Sequence, residues 1–490
     1  MAVKLCNETL NELSPDVAVP AYDRAALSPG ILHIGVGNFH RAHQAVYLDK
    51  LFNTGRDHDW AIVGAGVRPG DAAMRARLEQ QDWLTTVVEL DPAGLSARVT
   101  GAMIDFVEVD AGQLIARLSD PAIRIVSLTI TEGGYYVDAT TGGFNADHPE
   151  IRHDAANPEA PATVFGILIA GLLARRAAGA PPFTLLSCDN LPENGHVTRQ
   201  AMVGLARLMV PDEVEWIDTA VAYPNSMVDC ITPATSDRER KMVAERFGIV
   251  DSSPVACEPF RQWVLEDNFP QGRPALEDVG AEFVADVAPY ELMKLRILNG
   301  GHACIAYPGA LLGHHFVHDA MADPDIAAFL DRLQRDEIIP VLTPIAGFDY
   351  AAYLDVVKTR FANPEVGDTV PRLCFDGSNR QPKFILPSIA DALEKGRGIE
   401  GLALEVALWC RYCEGEDEAG KPIEIEDTMA GELTRRATEA KTRPEAFLEN
   451  EAVFGKLAGN ADFNAAFARQ LARLWTDGTR ATLRAYIQAA

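Results

Sequence analysis

The sequence predicts two domains: an α/β domain with inserted strands over residues 1–286 and a mainly α-helical domain over residues 287–490. Three observations lead there. An apolar run at residues 31–34 passes directly into Gly35-Val36-Gly37 and then into helical periodicity. Short β-branched-rich runs alternate with helical stretches as far as residue 286. From Pro289 onward strand signals stop and helical spacing dominates.

In chain order, residues 1–29 read as a polar lead-in broken by Pro15, Pro20 and Pro29. The strand at 31–34 followed by Gly35-Val36-Gly37-Asn38-Phe39-His40-Arg41 starts a dinucleotide-binding unit. Gly35 makes the tight turn, Gly37 lets backbone approach a pyrophosphate, and the helix opening near His40 attracts its charge. The usual third glycine is missing. Helix 45–52 and a second strand at 60–64 follow. Asp71 then either accepts from an adenosine ribose and repels a 2′-phosphate, or caps the helix at 72–78. Arg68 pulls the other way, so NAD is favoured and NADP stays open.

Residues 85–90 and 97–104 form an expected hairpin through Asp91-Pro92-Ala93-Gly94, inserted in the parallel unit. The β-branched run 123–130 suits a strand covered on both faces and opens into Thr131-Glu132-Gly133-Gly134. A polar turn at the carboxyl end of a central strand is where open α/β sheets place ligands. After helix 162–176, the strand 183–187 ends at Cys188-Asp189-Asn190. The Asn190 amide offers two donors for an oxygen acquiring charge, although Asp and Asn are also ordinary turn formers. A strand at 219–223 leads to Asp229, and residues 236–247 are helical.

In the second domain, helices are expected at 326–342, 350–361, 387–393, 401–412 and 463–475. Its first segment, residues 290–302, carries the densest chemistry. At about 100° per residue, Glu291, Lys294, Asn299 and His302 fall within an arc of about 140°. One helical face thus holds an acid, an amine, an amide and an imidazole, between apolar flanks at 283–287 and 305–307. A solvated polar stripe is the alternative. The connection 372–384 concentrates Arg372, Arg380 and Lys383, donors suited to a hydroxyl-rich or carboxylate-bearing ligand.

Composition narrows the function further. With 44 Lys plus Arg against 70 Asp plus Glu, the net charge of -26 repels polyanions and excludes nucleic acid and anionic membrane surfaces as partners. The longest apolar stretch, 164–174, is too short to cross a bilayer, and no apolar run follows Lys4 and Glu8, so a cytoplasmic location is expected. The eight cysteines are scattered and form no disulfide framework. Cys410 and Cys413 sit late in a helix, where residues three apart merely share a face, so a thiol-redox role is disfavoured. The cluster His314, His315, His318 and Asp319 is too short to imply a metal.

Taken together, Gly35-x-Gly37-x-Phe39-His40-Arg41-Ala42-His43-Gln44, Ser127-Leu128-Thr129-Ile130-Thr131-Glu132-Gly133-Gly134-Tyr135, Ser187-Cys188-Asp189-Asn190, Phe260-x-Gln262-Trp263-Val264-x-Glu266-Asp267 and Lys294-x4-Asn299-x2-His302 resemble the polyol-specific long-chain dehydrogenases. That family includes mannitol 2-dehydrogenases and, close by, fructuronate reductases. The resemblance spans nearly the whole chain. It implies a metal-independent NAD(P)-dependent oxidoreductase with a Rossmann-type N-terminal domain and a helical C-terminal domain. It makes Lys294 the general base, Asn190 and Asn299 the amides polarising the reacting oxygen, His302 a substrate-hydroxyl contact and Glu291 a proton relay. Asp229, Arg372 and Arg380 match positions holding the remaining hydroxyls, although the family can carry Lys where this chain has Arg380. The family's acidic coenzyme-selectivity pair is present only in part, because Gly70 precedes Asp71.

The chemistry explains why these groups are needed. A lysine with an ordinary pKa near 10.4 is about a thousandfold too protonated to accept an alcohol proton at neutral pH. Burial disfavours the ammonium and is expected to bring it into range. The expected reaction interconverts a polyol and its ketose, D-mannitol and D-fructose first, with D-arabinitol or another polyol as a variant. Reduction of D-fructuronate is the alternative, for which Arg372 and Arg380 would hold a carboxylate. A nucleotide-binding sensor without turnover is the reading from a different class. A monomer is the expected state.

Overall fold

Five apolar runs pair in parallel, in the order Met103–Phe106, Ala61–Ala65, Pro29–Ile34, Ile125–Leu128 and Thr184–Ser187. Their side chains are buried on both faces, which explains continuous rather than alternating hydrophobicity. One face packs on the helix Val164–Ala177 and the other on Gln44–Phe52. The chain reverses direction across the sheet between Pro29–Ile34 and Ile125–Leu128, so the carboxyl ends of these two strands form the topological switch point. The computed structural model describes residues 2–138 and 141–489. It divides into two units, Met1–Ala288 and Pro289–Ala490.

A second sheet is inserted as expected, with Thr85–Glu89 antiparallel to Ser96–Thr100. The anticipated strand 97–104 is two strands, however, because Gly101 leaves the ladder. Its N–H donates to Asp49 Oδ1 at 3.0 Å and its carbonyl accepts from Arg24 Nε at 3.0 Å, so the chain turns and Met103–Phe106 joins the parallel sheet instead. The lead-in is also structured: Val3–Lys4 pairs with Ile249–Val250, and Val17–Ala18 with Ser96–Thr100. The strand expected at 219–223 is displaced by the helix Val214–Ala220, and pairing resumes at Ser226–Asp229 beyond Pro224.

The second unit is mainly helical. Residues 372–384, read as a connection, form two helices, Val370–Cys374 and Gly377–Phe384. Asp427, distant in sequence, starts the second by accepting from Ser378 N at 2.8 Å and Ser378 Oγ at 2.6 Å. The helix Pro324–Leu333 gives way to a wider turn at Gln334–Ile338 before Pro340 ends it. The last helix runs Ala461–Gln488 and kinks at Gly478.

Beneath Gly377–Phe384 lies Glu405, fully buried on the helix Glu400–Cys413. Oε1 accepts from Gln381 Nε2 at 2.7 Å, while Oε2 has no partner among the described residues. Burial pushes this carboxyl up to about 8. It is therefore neutral in the folded protein at pH 7 and charged in the unfolded chain. Its contribution to stability is complete below about 4.5 and is lost as pH rises through about 8. Glu405→Gln is expected to match the parent in thermal midpoint at pH 5 and to exceed it by several degrees at pH 9; a gap independent of pH would contradict this assignment.

Candidate active site

At the switch point the backbone is forced into one shape. Gly35 has φ 98°, and a Cβ there would lie 2.1 Å from the Thr129 carbonyl oxygen, so only glycine fits. Its N–H donates to Ala65 O at 3.0 Å, and its carbonyl accepts from Thr129 Oγ1 at 2.6 Å. His33, fully buried, bonds Ser127 Oγ at 2.8 Å and Thr129 Oγ1 at 3.0 Å, and stacks on His40 with ring centroids 3.5 Å apart. Burial holds His33 down to about 3 and His40 well below its usual range, so both rings are neutral at physiological pH.

Gly37 differs from Gly35. A Cβ on it would meet nothing closer than 3.8 Å, so the protein's own packing does not require glycine there. The space lies where the helix Asn38–Ala42 begins, which is where a pyrophosphate approaching a Rossmann-type turn would need it. Alongside runs a cavity of about 660 Å³ whose lining includes Gly35, Arg68, Asp71, Thr131, Tyr136 and Glu150. The residues therefore fit a dinucleotide.

Of the residues singled out for the cofactor, Gly35, Asp71 and Thr131 line this cavity, whereas Gly37, Asn38, Phe39, His40, Arg41 and Glu132 do not. Arg41 is buried. It donates to Gly37 O at 3.2 Å and Asn38 Oδ1 at 2.8 Å, and also to Ser253 O. Asn38 Nδ2 reaches Pro233 O and Thr235 Oγ1, and Phe39 stacks on His43. These side chains hold the turn in place. Asp71 Oδ2 accepts from the Val67 and Arg68 amides, both at 2.9 Å, so it caps the start of Pro69–Glu79 while lining the cavity.

Asp189 was read only as part of a turn, yet it organises the ligand side of the sheet. Its carboxylate accepts from Ile130 N and Thr131 N, each at 2.9 Å, and from Tyr135 Oη at 2.6 Å. These bonds hold Thr131 at φ 65°, ψ 160°, a conformation that costs a β-branched residue about 1–3 kcal/mol. Asn190, the next residue, is exposed at the end of the strand Thr184–Ser187. Asp229 is buried at the end of Ser226–Asp229.

The other predicted residues belong to the second unit. The helix expected over 290–302 is α-helical at Ala288–Met293, a π-helix at Lys294–Asn299, and α-helical again at Gly300–Leu311. In an α-helix residues five apart are about 140° apart around the axis. The i→i+5 closure of a π-turn stacks them on one face. Lys294 and Asn299, the extremes of the arc drawn from sequence, are thereby brought together. Glu291 and Lys294 are each 9% exposed. Arg296, inside the turn, anchors it by donating to Ser388 Oγ at 2.6 Å and Asp391 Oδ2 at 3.0 Å.

One turn further on, His302 packs on Phe361 with centroids 4.4 Å apart. Its Nε2 is buried and has no hydrogen-bond partner among the described residues. Burial first, and then Arg372 and Arg380, hold the ring down to about 3, against the opposing pull of Asp368. A neutral imidazole with an unsatisfied nitrogen suits a hydroxyl ligand. Arg372 pairs with Asp368 bidentately, Nε and Nη2 each donating to one carboxylate oxygen, and Arg380 Nη1 donates to Leu373 O at 2.6 Å and Arg372 O at 3.3 Å. Asp368, Phe361 and Arg296 were not anticipated, because their parts depend on contacts rather than on local pattern.

Residues 29–278 match the family model for the mannitol dehydrogenase Rossmann domain, and residues 286–475 match that for the mannitol dehydrogenase C-terminal domain. The mannitol 2-dehydrogenase of Cereibacter sphaeroides is 56% identical over 479 residues, covering 97% of this chain and 100% of that protein. The Pseudomonas fluorescens mannitol 2-dehydrogenase, solved as a ternary complex with NAD and D-mannitol, superposes with a TM-score of 0.85 at 44% identity and full coverage of both chains. The chain belongs to the mannitol dehydrogenase family. A substrate-free D-sorbitol dehydrogenase superposes with a TM-score of 0.92 at 35% identity, covering 98% of this chain and 100% of that one.

In this mannitol dehydrogenase family member the cysteine pair is shielded from solvent. Cys410 and Cys413 lie buried in the last turn of Glu400–Cys413, and burial raises both thiols. Among the described residues no three His, Cys, Asp or Glu side chains are grouped to hold a metal ion, and no helix is long and apolar enough to cross a membrane. The contrast between the two glycines gives a direct test. Gly37→Ala is expected to leave the thermal midpoint unchanged while weakening dinucleotide binding at least about tenfold, whereas Gly35→Ala destabilises the fold. Calorimetric titration and thermal melts of the two variants measure both effects.

Proposed function

We propose that the chain is an NAD-dependent polyol dehydrogenase interconverting D-mannitol and D-fructose, with Lys294 as general base and without a metal. The observation that carries this reading is the shared face of Lys294 and Asn299 on the buried π-turn. It stands in a chain 56% and 44% identical to proteins named mannitol 2-dehydrogenase. When bound, NAD supplies the hydride acceptor at its nicotinamide ring.

Lys294 takes the proton of the reacting hydroxyl during oxidation and returns it to the carbonyl oxygen during reduction. Low exposure strips most of the water that would otherwise stabilise its ammonium. Asn299, on the same face, and Asn190 donate amide hydrogens to the oxygen as charge builds on it, without competing for the proton. His302 holds a neighbouring hydroxyl through its unsatisfied nitrogen. Glu291, one turn before Lys294, relays protons, and Asp229 holds a further hydroxyl.

The arginines favour a neutral polyol over a uronate. Arg372 is neutralised by Asp368, so the pair offers a carboxylate one uncompensated charge, that of Arg380, rather than two. Asp71 at the cavity wall disfavours a 2′-phosphate, which supports NAD over NADP. Coenzyme-linked oxidation of a stereochemically varied set of polyols and aldonates, with NAD and NADP in turn, tests the reading. D-mannitol with NAD is expected to give the highest kcat/KM, and Lys294→Met to lower kcat by about 10²–10⁴-fold. Activity confined to D-mannonate, or full activity in Lys294→Met, would contradict it.

A further inference from the structure

The π-turn that carries Lys294 and Asn299 is held open by a side chain from another helix. In an α-helix the Gly300 N–H would bond the Arg296 carbonyl, four residues back. Here it bonds Leu295 O and Ile297 O and passes over Arg296 O. The skipped carbonyl is met instead by Gln334 Nε2 at 3.2 Å, and the same nitrogen lies 3.3 Å from Ile297 O. Gln334 is fully buried and opens the second wide turn, Gln334–Ile338. Both of its partners are acceptors, so only the NH2 end of the amide can face them. Its Oε1 has no partner among the described residues, which leaves this donation as the hydrogen bonding that fixes the side chain.

We propose that Gln334 is a positioning residue for the dehydrogenase reaction: by occupying the Arg296 carbonyl it keeps the turn in its wide form and holds Asn299 on the Lys294 face. The proposal rests on the polyol dehydrogenase reading above. Without the amide, the Gly300 N–H recovers Arg296 O, the turn tightens, and Asn299 rotates toward the α-helical offset of about 140° from Lys294. Lys294 keeps its place at the end of Ala288–Met293, and the Arg296 side chain keeps its anchor on Ser388 and Asp391. The loss thus falls on the amide that polarises the reacting oxygen.

Two variants of the full chain test this, assayed with NAD and the best polyol of the panel. Gln334→Met removes both donors at nearly constant volume. It is expected to lower kcat by about ten- to a hundredfold while leaving KM for NAD unchanged. Combined with Asn299→Ala it should be no slower than Asn299→Ala alone, because both changes remove the same contact. Gln334→Glu is isosteric and remains informative should the methionine variant fail to fold. Its protonated form retains one donor and its ionised form none, so its kcat relative to the parent should fall as pH rises.

A purely structural role would lower the thermal midpoint and leave kcat per folded enzyme, the pH profile and the Asn299→Ala comparison untouched. Unchanged kcat in Gln334→Met, multiplicative losses in the double variant, or a flat ratio for Gln334→Glu would each overturn the assignment. If the parent enzyme oxidises no polyol with NAD, the functional reading falls and the assignment with it. Parent turnover with unaltered variants overturns the assignment alone.

Discussion

One widened helical turn is the constraint on which the chemistry proposed for the second unit depends. An amine and an amide five residues apart stand about 140° apart on a regular α-helix, whereas the proposed reaction needs Lys294 and Asn299 to meet at one oxygen. Hydrogen bonding in the i→i+5 pattern over Lys294–Asn299 brings the two closer around the axis while the helix continues on either side. A π-turn is less favourable than the α-helix around it. It persists here because it is buried and tied to its neighbours by Arg296 and Gln334. Those ties come from the helix Leu386–Glu394 and the wide turn Gln334–Ile338, so the shape of the turn is set by several helices of the unit.

The first unit solves a different problem by related means. A dinucleotide needs a tight turn at the end of a central strand, with backbone amides exposed and nothing in the way. Close approach of the Gly35 and Thr129 backbones makes the turn, the neutral stack of His33 and His40 supports it from below, and the absent side chain of Gly37 leaves room. Asp189 holds the facing loop in a strained conformation at Thr131 and gathers three donors to do so. In both units buried polar side chains fix the backbone through specific partners, Asp189 in the first and Arg296 and Gln334 in the second.

Local pattern made much of this legible. The strand, the GxG turn and the β-branched run at 123–130 mark the parallel sheet, because strands covered on both faces must be apolar throughout. The motif series resembled one family over nearly its whole length, and both family models match. What stayed hidden depends on distant contacts. Nothing near Gly101 announces that Asp49 and Arg24 will capture its backbone and split a strand. Nothing in residues 372–384 shows that Asp427 will cap a helix there. A fixed 100° per residue placed Glu291, Lys294, Asn299 and His302 on one broad face, but it set Lys294 and Asn299 at opposite edges. The extra residue in the turn depends on Gln334, which lies far along the chain. Asp71 illustrates the remaining ambiguity: capping and cavity lining, weighed as alternatives from sequence, are both present in the same side chain.

The most direct test of the account is a crystal structure of the enzyme with NAD and D-mannitol bound. The account predicts Lys294 Nζ and Asn299 Nδ2 both within about 3 Å of the same substrate oxygen, with the wide turn at 294–299 intact. A reacting oxygen held by only one of them, with the other beyond hydrogen-bond reach or turned to the opposite side of a regular α-helix, would contradict it.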